Sequence, residues 1–107
     1  MIVYITQNMD GRNFIPAQKF GELRALLPEK SQILLDPAPI LKKLREGLDN
    51  FTDDDFLLLS GDPIIIGLSM MVADEVNHGR MKLLKWDKQE KTYYPVKIDM
   101  YEEEKAE

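Results

Sequence analysis

Apolar side chains along this chain follow two rhythms, short unbroken runs that suit buried strands and spacings of three and four that suit one face of a helix. One combination occurs twice: an apolar run, a turn containing Asp-Pro, then a helical spacing. The first copy is Ile33-Leu34-Leu35-Asp36-Pro37 and the second is Phe56-Leu57-Leu58-Leu59-Ser60-Gly61-Asp62-Pro63. In each, the Asp can accept the free amide hydrogens of a helix start, and Pro at the next position has none to leave unpaired. Residues 37–51 then form the cleanest amphipathic helix. Ile40, Leu41, Leu44, Leu48 and Phe51 share one face, with Lys42, Lys43, Arg45 and Glu46 facing water. The stretch Pro63 to His78 is apolar round most of its first turns (Ile64, Ile65, Ile66, Leu68, Met70, Met71), which predicts a helix that is central or packed on a partner chain. Gly79 is expected to close it in the left-handed conformation.

Before the first Asp-Pro unit, Ile2 to Thr6 is β-branched and aromatic and predicts an opening strand. Gln7 to Asn13 reads as a loop. Phe20, Leu23, Leu26 and Leu27 predict a short helix over Pro16 to Leu27, against the weakening effect of Gly21 and with Pro28 as its stop. Thr52-Asp53-Asp54-Asp55 reads as a solubilising loop ahead of a very apolar strand. Met81 to Trp86 and Thr92 to Tyr101 predict two antiparallel strands joined by Asp87-Lys88-Gln89-Glu90-Lys91. Alternation in the last strand predicts a dry face of Tyr94, Val96, Ile98 and Met100 and a wet face of Tyr93, Lys97 and Asp99. Pro95 pushes that strand to a sheet edge, because it cannot donate to a central ladder. The expected fold is α/β: a small three-layer domain with a short, mostly parallel sheet (β-α-β-α-β-α) and a C-terminal antiparallel β-hairpin at one edge. Residues 1–101 make a single domain and residues 102–107 an acidic C-terminal tail.

A chain of 107 residues supports one hydrophobic core. Its 44% hydrophobic and 31% charged residues are ordinary for a soluble globular protein. No cysteine is present, which excludes disulfides and thiolate zinc sites and fits a reducing compartment. No basic leader with an apolar segment opens the sequence, so a cytoplasmic location is expected. The net charge of −5 argues against direct binding of nucleic-acid phosphates, and the longest apolar stretch, Pro63 to Ala73, is too short to span a bilayer. Much of that acidity sits in residues 102–107, with four acids and one base, so a local basic patch elsewhere remains open.

Candidate chemistry gathers in two places. Ser60, Gly61 and Asp62 lie between a strand end and a helix start, where open α/β sheets bind nucleotides and other phosphates. Arg12, on the loop after the first strand, and Asp36 are expected at the same sheet edge, Arg12 as an anion contact. Neither the phosphate-loop pattern nor Gly-x-Gly-x-x-Gly is present, and a turn needs Gly and a capping Asp for backbone reasons alone. The second place is the hairpin, where Arg80, Lys82, Lys85, Lys88, Lys91 and Lys97 are interleaved with Trp86, Tyr93 and Tyr94. Arg80, Lys82, Lys85, Trp86 and Tyr93 are the candidate partner contacts there, with a solvated outer face as the plain alternative and base stacking ranked last. His78 is the only histidine, and no nearby serine or acid forms a recognisable triad with it, so catalysis would need partners placed by the fold. No catalytic constellation, metal ligand set or cofactor motif emerges.

Several strings carry a resemblance. Gly61-Asp62-Pro63, then Gly79-Arg80-Met81-Lys82-Leu83-Leu84-Lys85-Trp86-Asp87-Lys88-Gln89-Glu90, and Tyr94-Pro95-Val96-Lys97-Ile98-Asp99 resemble a family of small, uncharacterised bacteriophage proteins. Gly11-Arg12-Asn13 and Phe20-Gly21-Glu22-Leu23 are similar as well, so the resemblance covers most of the chain. It implies a phage-encoded protein acting in the cytoplasm of the infected cell or packed in the virion, and it brings no catalytic residues. The functional expectation is a non-enzymatic accessory protein that binds a host or phage protein, with a homodimer as one form. The alternative is a nucleotide or phosphate binder or small enzyme at Ser60–Pro63, and the third is nucleic-acid binding by the hairpin.

Overall fold

The computed structural model describes residues 1–31 and 36–102. Five strands form one mixed sheet: β1 (Ile2–Ile5), β2 (Glu22–Ala25), β3 (Phe56–Leu58), β4 (Arg80–Asp87) and β5 (Thr92–Asp99). Their spatial order is β2-β1-β3-β4-β5, parallel throughout except for the antiparallel β4–β5 hairpin at one edge. The α/β class, the mostly parallel sheet, the edge hairpin and the edge position of Pro95 all match the sequence reading.

Period-two alternation distributes the sheet's side chains to two separate cores. Tyr4, Leu57 and Met81 point to one face, where they meet Ile40, Leu44, Leu48 and Phe51 from α1 (Ala38–Gly47) and the turn after it, and Ile65, Val72 and Ala73 from α2 (Pro63–Asn77). Val3, Ile5, Phe56, Leu58, Leu84 and Tyr93 point to the other, covered by Phe14 and Ala17 around a 3-10 helix over Ile15–Phe20. Helices, sheet and a thin 3-10 layer thus make the three layers. Asp62 caps α2 as expected, its Oδ1 accepting from Ile64 N at 2.7 Å. At α1, by contrast, the cap position is Pro37, and Asp36, one residue further out, accepts from Ala38 N at 3.0 Å. At the end of α2 the left-handed position is His78 (φ 54°), with Gly79 (φ 80°) following it.

Three expectations need correction. Residues 16–27 do not form one helix: the 3-10 helix stops at Phe20, Gly21 turns the chain against the Met1 carbonyl, and Glu22–Ala25 pairs in parallel with β1. Gly21 lacks the side chain that a helix interior favours, and the open edge of β1 supplies a competing ladder. The faces of β5 are also reversed at its start, since Tyr93 is 4% exposed whereas Tyr94, Val96 and Met100 are exposed. Tyr93 is drawn inward by Trp86, directly opposite it in the ladder, with ring centroids 4.9 Å apart. Third, the acids of residues 53–55 are more than a solubilising run. Asp55 is buried and accepts from Ile2 N, Thr52 N and Thr52 Oγ1, and Asp53 is tied to the end of α2. The apolar run Ile33–Leu35, expected as a strand, lies outside the described residues, as do the acids beyond Glu102. No helix among the described residues is long and apolar enough to cross a membrane.

Candidate functional site

The strand order reverses between β2-β1 and β1-β3, and that switch point is where open parallel sheets leave a ligand crevice at the strands' carboxyl ends. Here the protein fills it from within. Thr6 Oγ1 donates to Ser60 O at 2.6 Å and accepts from Ser60 N at 2.8 Å. Gln7, almost wholly buried, donates from Nε2 to Glu29 O at 2.9 Å and, more weakly, to Pro28 O and Ser31 O at 3.3 Å. Its Oε1 accepts from Asp62 N at 2.8 Å. One glutamine therefore bridges the turn after β2 to the start of α2. Gly61 (φ 99°) lies directly against it, in a backbone conformation that side chains rarely adopt and with no room for a Cβ. Nearby, the hydrogen bond that a protonated Glu29 carboxyl donates to Asp10 holds Glu29 above its usual range.

Of the five candidate ligand residues, the structure brings Arg12 to the β3 end, where Nη1 donates to Leu59 O at 3.4 Å. Ser60 is buried, with its Oγ unpartnered, behind Gln7. Asp62 caps α2, and Asp36, just before the α1 cap Pro37, accepts from Ala38 N. Sequence inspection missed Thr6 and Gln7. The available signal was two polar residues directly after a buried strand, which is a common way for a loop to begin and so points nowhere by itself.

Beside this closed crevice a groove of about 460 Å³ opens at the hairpin, lined among others by Arg12, Leu59, Lys85, Trp86, Tyr94 and Val96. A smaller hollow of about 310 Å³ adjoins it, and Arg12 and Trp86 line both. Trp86 is 38% exposed, so the indole offers a free surface while it packs edge-to-face with Tyr93. The Arg12 guanidinium lies 5.3 Å from the Phe14 ring centroid, which holds the charge at the rim of the groove. Among the described residues, ion pairs join Arg24 to Glu22, Arg45 to Glu75 and Arg80 to Asp53, and none involves Arg12 or Lys85. Residues 80–99 contain six bases and three acids, net +3 in a chain of −5.

The remaining hairpin candidates divide. Tyr93 supports Trp86 from below and offers little surface. Lys82 lies over the Phe56 ring at 4.2 Å and faces Lys97 across the ladder. Arg80 Nε donates to Asp53 Oδ1 at 3.0 Å, and Asn77 Nδ2 donates to the same oxygen at 2.8 Å. These two hydrogen bonds, Asn77's first, hold the Asp53 carboxyl below its usual range. A depressed folded-state pKa gives stabilisation that is present above pH about 4 and lost as pH falls through the folded value. Urea midpoints between pH 5 and pH 3 should therefore fall less steeply in Asp53→Asn than in the parent. Parallel profiles would remove this latch from the account.

Fold and site together define a small α/β domain with a closed crevice at the switch point of its sheet and an open aromatic and basic groove. The chain belongs to the Phage Pam3 gp32-like protein family, whose model matches residues 1–100. It is thus a bacteriophage protein, and the resemblance read from the hairpin strings is borne out. Comparison with curated proteins and with solved structures gives no match.

Proposed function

We propose that this chain is a non-enzymatic phage accessory protein that grips another protein, of the host or of the phage, through the hairpin groove. The supporting observation is the partly exposed Trp86 on one face of the hairpin, in a groove that Tyr94 and Val96 line from the other face. Arg12 and Lys85 also line it, without ion-pair partners among the described residues. Trp, Tyr and Arg clustered round an apolar floor are the residue types that carry most protein-binding energy. Ile64 and Met71 add an exposed apolar stripe on α2, as its unusually apolar sequence anticipates. Such a protein would work in the infected cell's cytoplasm or in the virion.

The test is affinity capture from nuclease-treated lysate of infected cells, comparing the parent with Trp86→Ala. Loss of a hot-spot tryptophan weakens binding by about 2 kcal/mol or more, roughly thirtyfold. One protein recovered stoichiometrically by the parent and lost with Trp86→Ala, at unchanged melting temperature, would support the reading. Equal recovery by both would move the partner surface away from the groove.

Nucleotide or phosphate binding at Arg12, Asp36, Ser60, Gly61 and Asp62 ranks second, because Gln7 already occupies the turn it would use. A nucleotide panel that leaves the melting temperature unchanged would count against it. Nucleic-acid binding through the hairpin ranks third. It predicts a low-salt complex weakened by Lys82→Ala and Lys85→Ala.

A further inference from the structure

One stretch of this chain has the chemistry that the groove lacks. Met100 and Tyr101 are 65% and 73% exposed, and both lead directly into Glu102-Glu103-Glu104. Large apolar side chains on the surface followed by consecutive carboxylates complement an apolar floor rimmed by Arg12 and Lys85.

The same molecule cannot bring the two together. In the hairpin, Trp86 lies opposite Tyr93 at one end and Arg80 opposite Asp99 at the other. Six residues of extended strand separate those pairs, about 20 Å at the usual rise per residue. Met100 is pinned at the far end, its N–H donating to Gly79 O at 3.0 Å, and the Tyr101 ring lies against Gly79. A Met100–Tyr101 pair that fills the groove must therefore come from another copy.

We infer that the groove at Trp86 receives the Met100–Glu104 segment of a second copy of this chain, reciprocally, in a two-fold dimer. Exchange in both directions satisfies both grooves and both acidic segments at once, which closes the assembly. The contact uses side chains of the groove and not strand addition along β5. That edge is guarded by Pro95, which offers no N–H, and by Lys91 and Lys97. A contact of this extent belongs to the weak, concentration-dependent class and is weakened by salt. The inference rests on the reading of the groove as a protein-binding surface and names its occupant.

Charge reversal with cross-rescue tests it on the full chain, by sedimentation equilibrium at low salt. One variant carries Arg12→Glu and Lys85→Glu, and the other carries Glu102→Lys, Glu103→Lys and Glu104→Lys. Each alone pairs like charges at both contacts, and its dimer dissociation constant is expected to rise at least about tenfold. Mixed in equal amounts, the two variants restore opposite charges at both contacts and should associate within about threefold of the parent. A parent that stays monomeric at every concentration, or a dimer indifferent to both reversals, overturns the inference. So does a mixture no tighter than its components. A monomeric parent that still captures a foreign protein through Trp86 would remove this occupant and leave the groove's binding role standing. Failure of both experiments would remove the role as well.

Discussion

Gly61→Ala is expected to lower the unfolding free energy by about 3–4 kcal/mol, and the reason lies in the closed crevice. An L residue in a left-handed backbone conformation costs about 1–2 kcal/mol. The new methyl group would also stand within 2.5 Å of Gln7 Cβ, forcing out a side chain that joins three carbonyls and the Asp62 amide. Leaving such buried groups unpaired costs a further ~1–3 kcal/mol. Urea unfolding checks the value, with Gly11→Ala as the control because nothing lies within 4 Å of a Cβ there. A loss below about 1 kcal/mol would mean that Gln7 yields easily. The crevice would then be open to a ligand, and the nucleotide reading would rise.

Asp55→Ala is the second large effect, about 3 kcal/mol. Its carboxylate is buried and receives hydrogen bonds from Ile2 N (2.9 Å), Thr52 N (2.9 Å) and Thr52 Oγ1 (3.1 Å), so truncation orphans two amides at once. Bonds to a charged acceptor are stronger than neutral ones. Asp55→Asn should recover little, because all three partners donate and the amide nitrogen of Asn would face another donor. Full recovery in Asn would show that shape, not acceptor capacity, fixes the start of β1 against this turn. Chemical denaturation of the three proteins side by side decides it.

Both predictions concern residues whose role the linear pattern obscured. Asp55 sits in a run of three acids, and such runs are usually solvated. Only the return of the chain to the start of β1, 53 residues away, turns one of them into a buried acceptor. Gln7 is as plain in the sequence, and its importance comes from four partners on two other segments. Long-range satisfaction of buried polar groups has no local periodicity, so no window along the chain can reveal it.

What the sequence determined by itself was local. The apolar run of β1, the face of α1, the Asp62 cap and Pro63 start of α2, and the hairpin all follow from side-chain spacing and from backbone constraints within a few residues. Pro95 even placed β5 at the edge, because a missing N–H excludes a central position whatever surrounds it. Tertiary structure decided the rest. It turned residues 22–25 into a strand because the edge of β1 offered a ladder, and it buried Tyr93 in place of Tyr94 because Trp86 stood across from it. It also moved the candidate site, closing the crevice at Ser60–Asp62 with Gln7 and joining Arg12 to Trp86 in one groove. Which face of an edge strand is covered, and which of two turns stays open, depends on what packs there. That is a property of contacts between distant segments, and the order of residues within any one of them does not contain it.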